Sequence, residues 1–140
     1  MVRKAKLALI LAGAMAGASL AHAPTVAAGS DFIIFFDWAK PDINRDAAEI
    51  LDKVAAQYSS NPGARLILSG HSDRSGPSGV NLRSSKKRAE AVRDYLEGHG
   101  VPARAMSLQA YGEQQPIVAT EDGVREVQNR RVEVRFVPAG

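Results

Sequence analysis

The 140-residue chain carries 18 Lys and Arg residues against 15 Asp and Glu residues, and it contains no cysteine. This length supports one domain rather than two, and the lack of cysteine excludes disulfides, thiolate metal sites and thiol nucleophiles. The excess of positive charge comes from Arg3, Lys4 and Lys6 at the N-terminus, and the remainder has as many acidic as basic residues. A neutral domain does not favour nucleic-acid binding, which requires a surplus of cations.

Residues 1–28 have the layout of a secretory signal peptide. The basic start is followed by about 14 apolar residues, from Leu7 to Leu20, and then by small residues. We expect cleavage after Ala28, since cleavage after Ala23 would leave Pro24 at the new N-terminus, which signal processing tolerates poorly. An uncleaved membrane anchor is the alternative, but the apolar stretch is shorter than the roughly 20 residues that span a bilayer. Residues 29–140 are therefore predicted to be an exported domain.

The first part of this domain predicts a strand followed by a helix. The apolar run from Asp31 to Phe36 is typical of a strand covered on both faces, and we expect it to be a central strand. The next segment begins with Asp42 or Asn44 as a candidate cap and ends at Ser60-Asn61-Pro62-Gly63. Its apolar residues recur at the spacing of one helical face: Ile43, Ala47, Ile50, Leu51, Val54 and Tyr58.

The second part predicts a strand, a helix and two further strands. A strand over residues 64–69 leads into a loop rich in Gly, Ser and Pro, residues 70–79, and a helix begins near Asn81 as its cap and ends at Gly98. Residues 106–111 and 131–136 alternate apolar and polar side chains, as strands with one buried face do. The polar face of the last strand is expected to meet solvent or another sheet element. Residues 112–129, between these strands, read as a long loop with one short helical turn.

The predicted order is therefore β-α-β-α-β-β, which defines an α+β fold. Two strands joined by a helix lie parallel with a right-handed crossover. The expected product is a mixed sheet of about four strands with two main helices packed on one face.

Two charged residues are candidates for a binding site. Asp73 follows the second strand directly, and Arg88 lies about two turns into the next helix, at the border of its buried stripe. A guanidinium matches a carboxylate, and an aspartate accepts hydrogen bonds from an ammonium group. Together they would suit a zwitterionic ligand. The alternative from spacing alone is that the two side chains pair with each other or with solvent.

A series of motifs closely resembles the signature of the OmpA-like C-terminal domain family. In that family a Gly-His-Thr-Asp turn precedes an Asn-x-x-Leu-Ser-x-x-Arg-Ala helix, and this chain has Ser72 in place of the threonine and Ser84 in place of the leucine. The resemblance spans residues 31–137 in the family's order. The matching segments are Phe36-Asp37, Gly70-His71-Ser72-Asp73, Gly76, Asn81, Ser85, Arg88-Ala89, Tyr111-Gly112-Glu113, Pro116 and Asn129-Arg130-Arg131-Val132-Glu133.

The resemblance implies non-covalent binding of peptidoglycan through the diaminopimelate of its stem peptide, with a role in cell-envelope integrity. At the matching positions, Asp73 would hold the ligand's ammonium group and Arg88 its carboxylate. Ser72, Asn81 and Asp37 stand where such a pocket is lined or shaped, with capping or turn formation as the alternative for Ser72 and Asn81. The resemblance implies no cofactor, and it implies a periplasmic, wall-associated protein, at the outer membrane or, with an uncleaved leader, anchored in the inner membrane.

Other classes of function find less support in the sequence. His71, Ser72 and Asp73 are the residue types of a hydrolase triad, but consecutive side chains diverge, so we expect no enzyme. The predicted mature chain has only His71 and His99 as histidines and no close ligand set for a metal. An envelope assembly protein that uses the same fold to bind an outer-membrane or other envelope protein remains the alternative. Trp38, the single tryptophan, is expected to pack after the first strand or at the pocket rim.

Overall fold

The computed structural model describes residues 31–139, so the predicted leader, its cleavage site and the start of the domain lie outside the described residues. None of the helices in this range combines the length and hydropathy needed to cross a bilayer. The strands are β1 (Phe32–Phe35), β2 (Arg65–Gly70), β3 (Met106–Ala110) and β4 (Arg131–Val137). The helices are α1 (Arg45–Ser60) and α2 (Ser78–Gly98), with short 3-10 turns at Ala103–Ala105 and Val127–Asn129.

The four strands form one mixed sheet in the order β1-β4-β2-β3. Strand β2 pairs in parallel with β3, and β4 runs antiparallel to both β1 and β2. This confirms the predicted α+β fold, but the prediction of β1 as a central strand covered on both faces was wrong. Strand β4 takes the central place beside β2, and β1 lies at the edge with Phe35 exposed. An unbroken apolar run suits a central strand, yet here the four residues of β1 have only one neighbouring strand.

The hydrophobic core lies between one face of the sheet and the two helices. Leu66 and Leu68 of β2 and Val132 and Val134 of β4 are fully buried there. The predicted face of α1 is confirmed, since its buried residues are Ala47, Leu51, Val54 and Ala55. Asn44, rather than Asp42, caps α1: its Oδ1 accepts a hydrogen bond from the Ala47 N–H at 2.8 Å.

Helix α2 begins at Ser78, three residues before the predicted start, and Asn81 is not its cap. Pro77 stands at the N-cap position, and its carbonyl accepts the backbone N–H of Asn81 at 2.9 Å. Proline favours the start of a helix because its φ angle is already suitable and its missing N–H has no partner there to lose. The side chain of Asn81 therefore does not cap the helix and can bond to other groups.

The polar face of β4 meets neither solvent nor a further sheet element near its start. Arg131 and Glu133 are buried, and the loop after β3 covers them: Arg131 Nη2 donates to the carbonyl of Gln115 at 2.9 Å. The same loop is held by Asn129, whose Oδ1 accepts the N–H groups of Ile117 and Val118, both at 2.9 Å. The prediction that the polar face of β4 meets solvent or another sheet element therefore holds only for Arg135, which is exposed.

The ends of several elements meet at one edge of the sheet. Because β2 and β3 are parallel and β4 is antiparallel to them, the residues after β2 lie beside the start of β4 and the turn after β3. Backbone bonds join these segments: the N–H of His71 donates to Arg131 and that of Ser72 to Gly112, both at 2.8 Å. The turn 70–73 predicted to carry ligand contacts is thus fixed by backbone pairing on both sides.

Gly70 allows β2 and α2 to approach closely at this edge. A Cβ atom at Gly70 would stand 2.0 Å from the carbonyl oxygen of Ser85. We expect Gly70→Ala to lower the free energy of unfolding by about 3 kcal/mol, the upper range for overpacking, because helix and strand must separate. Chemical denaturation measures this. Gly98→Ala is the matched control, since nothing lies within 4 Å of a Cβ there, and equal stability of the two variants would contradict the prediction.

Candidate functional site

A cleft of about 110 Å³ opens beside the turn after β2. Its walls come from that turn, from the first three turns of α2 and from the segment after β1. This volume has room for several water-sized groups, which suits the tip of one side chain. The cleft is lined by Trp38, Ala39, Ser72, Asp73, Ser75, Gly76, Val80, Asn81, Ser84 and Arg88.

Asp73 is 3% exposed, and its carboxylate accepts four hydrogen bonds. Oδ1 accepts from the N–H and the hydroxyl of Ser75 at 3.2 and 2.6 Å. Oδ2 accepts from the Glu126 N–H at 3.2 Å and from Arg130 Nη1 at 2.9 Å. Burial alone would raise the pKa of Asp73, but the Ser75 hydroxyl, Arg130 and the two N–H groups outweigh it and lower the pKa below its usual value. The group is therefore a carboxylate at neutral pH.

Arg88 is also 3% exposed, but it has few partners. Its Nη1 donates to the carbonyl of His71 at 3.3 Å, and its Nε has no hydrogen-bond partner among the described residues. The guanidinium carbon lies 5.7 Å from the centre of the Phe36 ring. Burial lowers the pKa of Arg88 to about 10, with Asp73 opposing and Arg130 adding to this shift. The side chain is still a cation at neutral pH, and it retains donors for an anion.

Asp73 and Arg88 thus line one cleft without forming an ion pair with each other; the partner of Asp73 is Arg130. Arg130 is itself held by Phe36, whose carbonyl accepts from its Nε at 3.0 Å. Asp73 forms an ion pair within the protein, whereas Arg88 forms none with the described residues. Chemically, the cleft offers the buried Arg88 cation to a carboxylate, beside the Asp73 carboxylate, which an ammonium group could approach.

The structure places the other three candidate residues differently. Ser72 and Asn81 line the cleft and are buried, whereas Asp37 is exposed and is not a lining residue. The Ser72 hydroxyl donates to the carbonyl of Asp73 at 3.0 Å. Asn81 Nδ2 donates to the carbonyl of Gly76 and to Glu113 Oε2, both at 2.8 Å. Asn81 therefore links α2 to the turn before it, at Gly76, and to the turn after β3, at Glu113.

Trp38 forms the rim of the cleft, one of the two places expected for it. Its Nε1 donates to the Ser75 hydroxyl at 3.1 Å, and the Arg125 guanidinium stacks 3.4 Å from the ring centre. Ser75 therefore connects the rim to Asp73. The indole is 44% exposed, so a ligand entering the cleft would pass it.

Two residues that contact Asp73, namely Arg130 and Ser75, were not among the predicted site residues, although Arg130 belongs to a segment that matches the family signature. Arg130 lies directly before β4, outside the alternating pattern of the strand, so this pattern does not assign its side chain to either face of the sheet. The signal that could have found it is the pair Arg130-Arg131: the alternating pattern accounts for the second arginine alone. Ser75 lies in a loop where serine is common, and nothing in its spacing distinguishes it.

His71 belongs to a buried cluster separate from the cleft. Its ring stacks on Tyr111 with centres 5.3 Å apart, and Nε2 lies 3.7 Å from Glu133 Oε2, beyond hydrogen-bond distance. Burial lowers the pKa of His71, although Glu133 partly opposes it. Burial would raise the pKa of Glu133, but His71 and Arg131 outweigh it and bring the pKa to about 2.

These shifts predict a loss of stability in acid. Groups whose folded pKa is lowered stabilise the fold above their unfolded pKa, and this stability is lost as the pH falls. His71 acts from about pH 6.5 downwards, Glu133 from about pH 4.5 and Asp73 from about pH 3.8. We expect the melting temperature to fall between pH 7 and pH 5, and His71→Phe, which keeps a ring against Tyr111, to reduce this fall. The exposed His99→Phe is the control; an unchanged pH profile in His71→Phe would contradict the assignment.

Comparison with known proteins identifies the class of protein. The OmpA family matches residues 35–130. A peptidoglycan-associated lipoprotein of Haemophilus influenzae is 33% identical over 103 residues, which are 74% of this chain and 67% of that protein. The chain belongs to the OmpA family.

Other relatives are longer than the shared part. An outer membrane protein of Gluconacetobacter diazotrophicus is 38% identical over 80% of this chain, but this is only 31% of that protein. The chain therefore spans about a third of this relative. Among solved structures, the peptidoglycan-associated lipoprotein of Burkholderia pseudomallei has a TM-score of 0.69 and 28% identity, covering 75% of this chain and 89% of that one. The C-terminal domain of Helicobacter pylori MotB, at 23% identity, TM-score 0.67 and coverage of 76% and 84%, shares the fold.

Proposed function

We propose that this domain binds peptidoglycan non-covalently, through the diaminopimelate residue of the stem peptide. The observation that carries the proposal is that two buried residues of opposite charge, Asp73 and Arg88, line one cleft and form no ion pair with each other. The free end of diaminopimelate carries an ammonium and a carboxylate on one carbon, which matches this pair of charges. The names of the peptidoglycan-associated lipoprotein relatives support peptidoglycan as the ligand.

Arg88 is the residue we propose for the ligand carboxylate. Among the described residues its buried Nε has no hydrogen-bond partner and its guanidinium forms no ion pair. A carboxylate in the cleft would satisfy both. A hydrogen bond to a charged group contributes about 1.5–3 kcal/mol, so affinity for a single stem peptide is expected to be modest. Many copies of the ligand on the wall would strengthen retention.

Asp73 is the residue we propose for the ligand ammonium. Its four donors already occupy the carboxylate, so an ammonium must replace one of them. The Ser75 hydroxyl is the one that can leave at least cost, because it rotates freely and the Ser75 N–H remains on the same oxygen. Arg130 would stay in place and keep the carboxylate oriented.

The remaining candidates are proposed to shape the site. Ser72 would brace the turn through the Asp73 carbonyl, and Asn81 would fix the wall formed by Gly76. Asp37 would act only by its charge near the rim, because it does not line the cleft. The domain is proposed to be a binding module rather than an enzyme. This is supported by the placement of His71, whose Nε2 lies 3.7 Å from Glu133 Oε2 and which does not line the cleft that Ser72 lines.

The proposed location is the periplasm, in contact with the wall and, through a protein partner, with the outer membrane. An uncleaved leader would instead hold the domain at the inner membrane. The alternative of an envelope assembly protein is separated from wall binding by the experiment below.

Co-sedimentation with purified sacculi tests the proposal. We expect the domain to sediment with sacculi that contain diaminopimelate and to be released by free meso-diaminopimelate. Lysine is the matched competitor, because it differs by the one carboxylate that Arg88 would bind, and walls with lysine at the same stem position are the matched sacculi. Protein that binds both walls equally would contradict recognition through diaminopimelate, and protein that stays in the supernatant would contradict wall binding and leave a protein partner as the ligand.

A further inference from the structure

A second cleft of about 120 Å³ adjoins the first, and the two share Ala39, Ser84 and Arg88. Its other lining residues are Lys40, Pro41 and Lys87. Arg88 therefore stands between two cavities rather than at the end of one. Ser84, one helical turn before Arg88, likewise lines both clefts.

The second cleft is lined by positive charge alone. Lys40, Lys87 and Arg88 contribute cations, and no carboxylate is a lining residue: Asp37 and Asp42, which flank Lys40 in sequence, do not line it. Within residues 31–139, neither lysine side chain has an ion pair or hydrogen bond. Three cations around one cavity repel each other, and an anion in the cavity would relieve this repulsion.

From this arrangement we propose that the second cleft is a subsite for another carboxylate of the same stem peptide. The inference rests on the proposed function and extends it. A peptide whose diaminopimelate tip occupies the first cleft carries two further free carboxylates, one on its glutamate and one at its C-terminus. Either would be placed beside Arg88 by the shared wall, and Lys40 and Lys87 would bind it. The domain would thereby distinguish stem peptides by whether this carboxylate is free or amidated.

Calorimetric titration with four forms of one tetrapeptide tests the subsite. The peptide L-Ala-γ-D-Glu-meso-diaminopimelate-D-Ala is used with both other carboxylates free, with either one amidated, and with both amidated. We expect the free form to bind the parent protein about five-fold more tightly than the doubly amidated form, since exposed charge pairs are individually weak. The singly amidated forms show which carboxylate is bound.

Variants separate the subsite from general electrostatics. Lys40→Gln/Lys87→Gln should bind all four peptides with the affinity that the parent has for the doubly amidated form. Lys53→Gln/Lys86→Gln removes two exposed lysines that line neither cleft, one on α1 and one beside Lys87 on α2, and should keep the five-fold preference.

The outcomes distinguish the two proposals. Equal affinity of the parent for all four peptides, or an unchanged preference in Lys40→Gln/Lys87→Gln, would overturn the subsite and leave the proposed function intact. If the parent binds none of the four peptides, the proposed function fails and the subsite fails with it. The preference should shrink as ionic strength rises, since the two lysines are exposed and the Debye length falls to about 8 Å at physiological salt.

Discussion

Replacing Arg88 by glutamine is expected to weaken binding of a diaminopimelate-containing peptide by roughly ten-fold to a hundred-fold, with the domain still folded. The loss corresponds to one charge-assisted interaction of about 1.5–3 kcal/mol. Stability should change little or rise, because burial already works against the charge of this side chain and lowers its pKa to about 10. Calorimetry measures the affinity, and chemical denaturation measures the free energy of unfolding.

Two further variants make the Arg88 experiment specific. Arg88→Lys keeps the charge but loses the planar fork of donors, so it should bind with intermediate affinity. Lys86→Gln removes an exposed charge two residues away on the same helix and should bind like the parent. Retention of full affinity in Arg88→Gln would show that the carboxylate of the ligand is bound elsewhere.

Asp73→Asn is expected to impair both binding and folding. The pair of Asp73 and Arg130 is buried, and removing the negative partner leaves the Arg130 guanidinium without compensation. Breaking such a pair costs about 3 kcal/mol or more, and the asparagine amide would also face a donor at one of its atoms. We expect a loss of unfolding free energy of about this size, together with a ten-fold or greater loss of affinity for the peptide.

A double variant separates the two effects of Asp73→Asn. Asp73→Asn/Arg130→Gln removes both charges, so part of the lost stability should return while binding stays weak. Asp122→Asn is the control, because Asp122 forms an exposed ion pair with Arg74 whose loss should change stability by less than about 1 kcal/mol. If the double variant regains binding, Asp73 is not a ligand contact; if Asp73→Asn is as stable as the parent, the pair with Arg130 is not a stabilising one.

The order of the elements and the buried face of α1 could be predicted because each depends on local pattern. The apolar spacing of α1 and the alternation of β3 are visible in short stretches of sequence, which also limit the cap of α1 to Asp42 or Asn44. The position of β1 could not be predicted in this way. Strand order depends on which strand pairs with β2, and β4, from the far end of the chain, takes that place.

The candidate site was predictable in its two charges but not in their partners. Asp73 and Arg88 belong to one turn and the following helix, so their spacing and the family motif identify them. Arg130 approaches Asp73 across 57 positions in the chain, and only the fold brings them together. The start of α2 shows a smaller error of the same kind, because Asn81 has the side chain of a cap but its backbone already lies within the helix.

The measurement that tests the central claim most directly is an NMR titration of the ¹⁵N-labelled domain with a diaminopimelate-containing tripeptide. The Arg88 Nε–H has no partner among the described residues in the free protein, so its resonance should shift strongly when a carboxylate binds. The amides of Ser75 and Gly76, beside Asp73, should shift with the same concentration dependence. The matching tripeptide with lysine, which lacks the side-chain carboxylate of diaminopimelate, should leave the Arg88 resonance in place. An Arg88 resonance that does not move, or that moves equally with both peptides, would contradict the account.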